Sequence, residues 1–475
     1  MRQTADERAY RSALRRGAGR CVTMLSSESA RRKYRLLVMW ACGRDLGYDT
    51  QVEGTRALFL YDLIGQYANP EPFLDGIERK LFAVEKKFFS PANKAELESL
   101  FMQESDLLVL FATDSDNVRA RRILERGYER FLRMLLNLAW LSKTDMLVLD
   151  SFDYLCGRLL LCARPKETQP MLERIVRDLG RLYMRDSGLN SCVADYFRCE
   201  AENMLGEKRY AAMLGRIDHS PEVEEYKAAV FLAKKESEAR DVKRKRRQNL
   251  GYKAVYRRVS EQGTFGIRYM VRRWRLDGRT KDIEGLVRLY VLEKDTETRA
   301  MLLDMFSAPD SRCEGYLPLD CVLRDASSDN DTLGRSAAGV LKGVKSRRVH
   351  DYALNMVKRR GVSYEMIAVL AGNYREDDDD LLIAALKKLG EKQHDVYAIL
   401  ARVTGGKGVD RLSTRMLAYL YETIRCTHCR NRVVRELGRR GLLTDDMLAE
   451  CLHDASVDIR EYARRILKRR RAKSA

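Results

Sequence analysis

Four cysteine and histidine residues near the C-terminus have a spacing at which a metal ion could be bound. Cys426 and Cys429 form a CxxC pair, and Cys451 and His453 follow in the next helical stretch. Three thiolates and one imidazole would make a tetrahedral Zn²⁺ site. Cys429 and Cys451, however, fall on apolar helical positions, where a free cysteine packs as a small hydrophobe. We favour packing, and we predict no metal and no other cofactor.

Basic and aromatic residues are concentrated between residues 234 and 281. Arginine and lysine contact phosphates and aromatic rings stack on bases, so this segment could bind nucleic acid. The alternative is a solvated basic face with the rings packed inward, because Arg268, Arg272 and Arg275 share one helical face. The candidate binding residues are Lys243, Arg244, Lys245, Arg246, Arg247, Arg268, Arg272, Arg273, Trp274 and Arg275.

Motifs that support catalysis are lacking in this sequence. We find no nucleophile elbow, no HExxH zinc site, no kinase signature and no dinucleotide fingerprint. The glycine-rich stretch 405–408 lacks the Walker spacing and the following Ser or Thr, and no strand precedes it. We therefore predict that the protein is not an enzyme.

The elements that must position these residues are helices. Only 8 prolines occur in 475 residues, and apolar runs of roughly 12 to 20 residues alternate with short polar breaks. Ser220-Pro221 predicts the beginning of a helix, and Gly43 predicts the end of one. No alternating strand pattern is found. The predicted helices include 30–42, 51–67, 118–141, 168–184 and 189–205.

A helical register recurs in the C-terminal half, with the order apolar, arginine, small apolar and apolar, and Gly334 and Leu382 replace the arginine in two of its copies. The last copy is Ile459, Arg460, Ala463 and Leu467. The copies are about 40 residues apart on average, within the range of two-helix repeats. Their anchoring residues are Leu302, Ala337, Ala385, Val433 and Ala463.

This register resembles that of HEAT repeats, over about residues 285–467. The resemblance implies an armadillo-like α-solenoid, in which stacked helix pairs bury a continuous core. It also implies that Arg299, Arg430 and Arg460 are structural and reach turn carboxylates, for which the candidates are Asp295, Asp454 and Asp458. Some HEAT-like solenoids are DNA glycosylases, and Trp274 with Asp277 is a candidate constellation for that chemistry, although it matches no motif.

The predicted organisation has four parts. Residues 1–233 form an N-terminal helical region, either diverged repeats or a separate domain; residues 234–281 form a basic connector; 282–470 form the repeat array; and 471–475 form a basic tail. No segment resembles a targeting or membrane-spanning element, which predicts a cytoplasmic protein.

The net charge of +19 favours anionic partners. We expect a non-catalytic scaffold that binds an acidic protein. The alternative is nucleic-acid binding through residues 234–281, and a glycosylase is a third hypothesis. The oligomeric state does not follow from the sequence.

Overall fold

The structure, a computed structural model, consists of α-helices throughout the residues it describes. These residues are 4–44, 46–48, 56–83, 166–185, 192–247, 251–262, 280–306, 316–389, 393–403, 412–474 and scattered positions between 125 and 163. Within them there is no β-strand, which confirms the predicted all-α class. None of the helices in these ranges has the length and apolar character needed to cross a membrane.

The N-terminal part of the chain contains nine described helices. They are α1 (Ala5–Arg16), α2 (Arg20–Thr23), α3 (Glu28–Cys42), α4 (Ala57–Gly65), α5 (Glu71–Ala83), α6 (Thr168–Arg185), α7 (Cys192–Leu205), α8 (Glu207–Leu214) and α9 (Pro221–Arg247).

The described remainder contains thirteen α-helices and a 3₁₀ turn at Glu376–Asp378. The helices are α10 (Tyr252–Gln262), α11 (Thr280–Leu292), α12 (Thr296–Phe306), α13 (Leu319–Ala326), α14 (Asp331–Leu341), α15 (Arg347–Arg360), α16 (Tyr364–Gly372), α17 (Asp379–Lys388), α18 (Gln393–Val403), α19 (Thr414–Thr423), α20 (Thr427–Arg439), α21 (Asp445–Cys451) and α22 (Val457–Ser474).

The chain divides into two compact units. The first comprises Met1–Ala239, Arg425–His428 and Leu443–Ala475, and the second comprises Arg240–Ile424 and Cys429–Leu442. The first unit therefore contains both the N-terminal and the C-terminal helices. The predicted domain boundaries stay predictions.

The N-terminal helices of the first unit have a core of their own, which includes Phe59, Leu60 and Leu63. The C-terminal segment joins it: Ala455 belongs to this core, and its N–H donates to the Gly17 carbonyl at 2.8 Å. Helix α2 contacts α21, where a Cβ on Gly19 would lie 1.8 Å from the Glu450 carbonyl oxygen. The two ends of the sequence thus fold together.

A separate core of the first unit is formed by residues from 128 to 229, with Leu172, Ile175 and Phe197 fully buried. Asp178 is also buried there, and its carboxylate accepts a hydrogen bond from the Tyr128 hydroxyl at 2.7 Å. A buried carboxylate requires such a partner, because desolvation is costly without one.

In the second unit, between α12 and α18, each second helix along the chain contacts the next one in that series. Helix α12 contacts α14, α14 contacts α16, and α16 contacts α18. Each intervening helix packs beside this row; α13, for example, contacts α14. The five anchoring residues of the sequence register, which lie in both units, are all buried: Leu302, Ala337, Ala385, Val433 and Ala463.

Candidate anion-binding site

The basic residues singled out in the sequence fall mainly outside the described structure. Arg268, Arg272, Arg273, Trp274 and Arg275 lie outside the described residues, as does Asp277. Helix α9 extends through the positions of Lys243, Arg244, Lys245, Arg246 and Arg247, whose side chains are likewise outside the description. Their role in binding stays a prediction.

The sulfur and imidazole candidates are placed in two different environments. Cys426 and Cys429 are both buried. Within the second unit, Cys429 Sγ lies 3.8 Å from Nε2 of His394, which is on helix α18 and which the sequence does not reveal as a neighbour. Cys451 is buried in α21, and His453 Nδ1 lies 2.8 Å from Asp62 Oδ2. The structure therefore does not group Cys451 and His453 with the CxxC pair.

Three arginines of the register are buried: Arg299, Arg430 and Arg460. Each of them donates to a backbone carbonyl six residues earlier in the chain, which ties the helix to the turn that precedes it. The pairs are Arg299 with Glu293 at 3.0 Å, Arg430 with Ile424 at 3.3 Å and Arg460 with Asp454 at 2.5 Å. These bonds support the structural role that the sequence predicted for them.

Two of these arginines donate to carboxylates that the sequence did not single out. Arg299 Nε donates to Asp325 at 2.6 Å, and Arg460 donates to Asp62 at 2.8 Å. Asp295 is not the acceptor of Arg299, because its carboxylate instead caps α12 by accepting the Thr298 N–H at 2.8 Å. Burial lowers the pKa of Arg460, and Asp62 partly offsets that effect.

A group of arginine side chains surrounds one tryptophan in the first unit. The guanidinium carbons of Arg11, Arg15 and Arg44 lie 4.6, 5.7 and 5.6 Å from the ring centroid of Trp40. Each distance is within the range of a cation–π interaction. Arg15 and Arg44 are exposed, whereas Arg11 and Trp40 are half-buried.

A fourth arginine joins this group through a second aromatic ring. Arg425 lies 5.6 Å from the ring centroid of Tyr48, and both side chains are exposed. Arg425 also acts electrostatically on Arg15. We refer to these six residues as the arginine–aromatic cluster: Arg11, Arg15, Trp40, Arg44, Tyr48 and Arg425.

The charges of the arginine–aromatic cluster repel one another. The pKa of Arg15 is lowered, first by partial burial and then by the charges of Arg11, Arg425 and Arg44. Among the described residues, the charged groups that shift this pKa are all arginines. A bound anion would relieve the repulsion, because it would interact favourably with several guanidinium groups at once.

Helix α1 holds Arg11 and Arg15 in fixed positions. Its N-terminus has a reciprocal capping box, in which Thr4 accepts the Glu7 N–H and Glu7 accepts the Thr4 N–H. Tyr10 stacks on Tyr34 of α3 with ring centroids 4.0 Å apart. These contacts align α1 with α3, so that Arg11 and Arg15, one turn apart, both face Trp40.

The C-terminal end of α1 is also fixed by tertiary contacts. Arg56 donates to the Arg15 carbonyl at 2.7 Å. Gly17 ends the helix in the left-handed region, at φ 63°, a conformation that favours glycine. Arg11, Arg15 and Trp40 are thus positioned by helices, whereas Arg44, Tyr48 and Arg425 lie in connecting segments.

The arginine–aromatic cluster offers hydrogen-bond donors to anions and nothing that would carry out a reaction. Guanidinium groups form paired hydrogen bonds with carboxylates and phosphates, whereas a nucleophile with its base is not part of the cluster. The sequence indicated a basic protein and a basic segment at residues 234–281, but it did not indicate the arginine–aromatic cluster. Comparison of the chain with protein-family models, with curated proteins and with solved structures finds no match.

Proposed function

We propose that this protein is a non-catalytic binding protein, a solenoid of HEAT-like helix pairs that presents a basic surface to an acidic protein partner. The observation that carries the proposal is the arginine–aromatic cluster. Arginine and aromatic residues are the types enriched at protein–protein hot spots. A cluster of four cations selects among such partners for those with acidic surfaces.

The solenoid part of the proposal is supported by the row α12, α14, α16 and α18. A stack of helix pairs brings equivalent helices of consecutive pairs into contact, and this row has that pattern. Ion pairs join helices at similar sequence separations: Arg348 of α15 with Asp320 of α13, and Arg415 of α19 with Asp380 of α17, each at 2.5 Å.

Nucleic-acid binding is the second candidate. The observation that favours it is that α9 continues to Arg247, so that the five basic positions 243–247 belong to a helix, an element that could lie along a phosphate backbone. In the arginine–aromatic cluster, by contrast, Arg11 lies over Trp40 at 4.6 Å. A ring that carries a guanidinium on its face does not offer that face to a base.

The test compares the two partner classes directly. Nuclease-treated protein is titrated with single- and double-stranded DNA and RNA across a salt series, and in parallel is used to retrieve partners from nuclease-treated extract of the source cells. We expect weak nucleic-acid binding near physiological salt and a defined, acidic protein partner. Tight nucleic-acid binding whose logarithm falls linearly with log salt, at a slope of several phosphate contacts, would replace the proposal with the second candidate.

A further inference from the structure

We infer that the arginine–aromatic cluster is the docking site for an acidic linear segment of a partner protein, held by carboxylates that each bridge neighbouring guanidinium groups. This inference rests on the proposed function and adds to it the location of the site and the chemistry of the partner. Its basis is the charge and the geometry of the cluster.

The spacing of the cations suits closely spaced carboxylates. Arg11 and Arg15 are one helical turn apart on α1, and side chains at that spacing are neighbours on a helix surface. Arg44 shares the Trp40 ring with them, and Arg425 stands over Tyr48. Arginines from three chain segments therefore converge here, and this arrangement suits a segment with several Asp or Glu residues better than a single carboxylate.

The aromatic rings prepare the guanidinium groups for binding. A guanidinium held near an aromatic ring by a cation–π interaction retains N–H donors for an anion. Arg15, Arg44 and Arg425 are exposed. Less side-chain freedom is lost when such a group binds, and this pre-organisation strengthens binding.

The experiment measures binding of an oligo-glutamate peptide to the full chain. Trp140→Phe with Trp274→Phe leaves Trp40 as the remaining tryptophan of three, and its fluorescence reports on the cluster. We expect saturable binding with a change in Trp40 emission. The double variant Arg15→Gln with Arg425→Gln should weaken it at least about tenfold, as expected for the loss of charged hydrogen bonds.

A matched control removes two exposed arginines of α22, with Arg464→Gln and Arg465→Gln. Both double variants lower the net charge by the same amount, so a difference between them measures the site and not the total charge. Thermal unfolding of each variant verifies that the fold is retained. The variant Arg15→Lys with Arg425→Lys keeps the charge and tests whether the planar guanidinium group is also needed.

Three results would overturn the inference. Equal weakening by the two double variants would show that the peptide senses only net charge. Binding of an oligonucleotide, but not of the peptide, at the cluster would assign it to phosphate. If the protein partner of the previous section is retained by the Arg15/Arg425 variant, the site lies elsewhere while the proposed function stands; if no protein partner exists, the proposed function fails independently.

Discussion

Arg299 shows how this protein accommodates a charge in its interior. The guanidinium donates to Asp325 and to the carbonyls of Tyr290 and Glu293, and it stacks on the Tyr290 ring at 4.6 Å. The Tyr290 hydroxyl donates to the same Asp325 carboxylate at 2.7 Å. Desolvation lowers the pKa of Arg299, but the hydrogen bond to Asp325 and the charges of Asp325 and Tyr290 together outweigh it, so that this pKa is raised.

Replacement of Arg299 by methionine should destabilise the protein strongly. The variant removes the buried cation of Asp325 and leaves only the exposed Arg324, at 3.5 Å. Loss of one partner of a buried ion pair typically costs about 3–5 kcal/mol in the free energy of unfolding. Arg348→Ala is the control, because its ion pair with Asp320 is exposed and should contribute at most about 1 kcal/mol. Denaturant unfolding of both variants measures the difference. Equal effects would contradict the structural role of Arg299.

Tyr374 should make stability sensitive to alkaline pH. Burial raises its pKa to about 12, and its hydroxyl donates to Asp379 at 2.7 Å. The unfolded chain ionises near pH 10 while the folded chain stays neutral, so this stabilisation is complete below pH 10 and is lost as pH rises to about 12. Tyr374→Phe should flatten the fall of stability in this window, measured by circular dichroism. An unchanged slope would contradict the assignment. Some slope should remain in the variant, because burial also raises the pKa values of Tyr67 and Tyr210 to about 12.

The sequence predicts the role of individual residues better than their partners. The resemblance to HEAT repeats implied a structural role for Arg299, Arg430 and Arg460. It could not identify Asp325 or Asp62, since carboxylates elsewhere in the chain approach only after helices pack. The arginine–aromatic cluster was missed for the same reason: Arg15, Trp40 and Arg425 converge through tertiary contacts.

At the scale of elements, local signals were sufficient to locate many helices. The stretch 168–184 corresponds to α6 (Thr168–Arg185), and Ser220-Pro221 begins α9. Gly43 ends α3 as predicted. The predicted stretch 51–67 is longer than α4 (Ala57–Gly65), and residues 51–55 lie outside the described residues. Capping and periodicity are local properties, whereas the choice of neighbouring helices is not.

The close approach of α2 to α21 predicts a strong effect for a small substitution. Gly19→Ala would place a Cβ 1.8 Å from the Glu450 carbonyl oxygen, so the two helices must separate. We expect a loss of roughly 1–3 kcal/mol or more, typical of overpacking. Gly65→Ala is the matched control, because nothing lies within 4 Å of its added Cβ. Thermal unfolding of the pair measures the contrast, and equal melting temperatures would contradict this contact.

At the scale of the molecule, Asp62 connects the ends of the chain in the first unit. It accepts from Arg460, which is 3% exposed, and it pairs with His453. Asp62→Ala should therefore increase hydrogen exchange in α1–α4 and in α21–α22, while α12–α16 keep their protection. Asp445→Ala removes only an exposed partner of Arg470 and should leave all three regions protected. Uniform protection in Asp62→Ala would contradict the connection.

The pairing of the two ends has a consequence for biosynthesis. The core around Phe59 and Leu60 is complete only when Ala455 is added. A ribosome that adds about 5–20 residues per second reaches that residue roughly 20–80 seconds after it has made the first helices. During this interval α2 lacks its partner α21, and the apolar surface of a nascent chain is a substrate for chaperones. We expect the yield of folded protein from synthesis in the cell to depend strongly on chaperones. The yield from refolding of the whole chain should depend on them less.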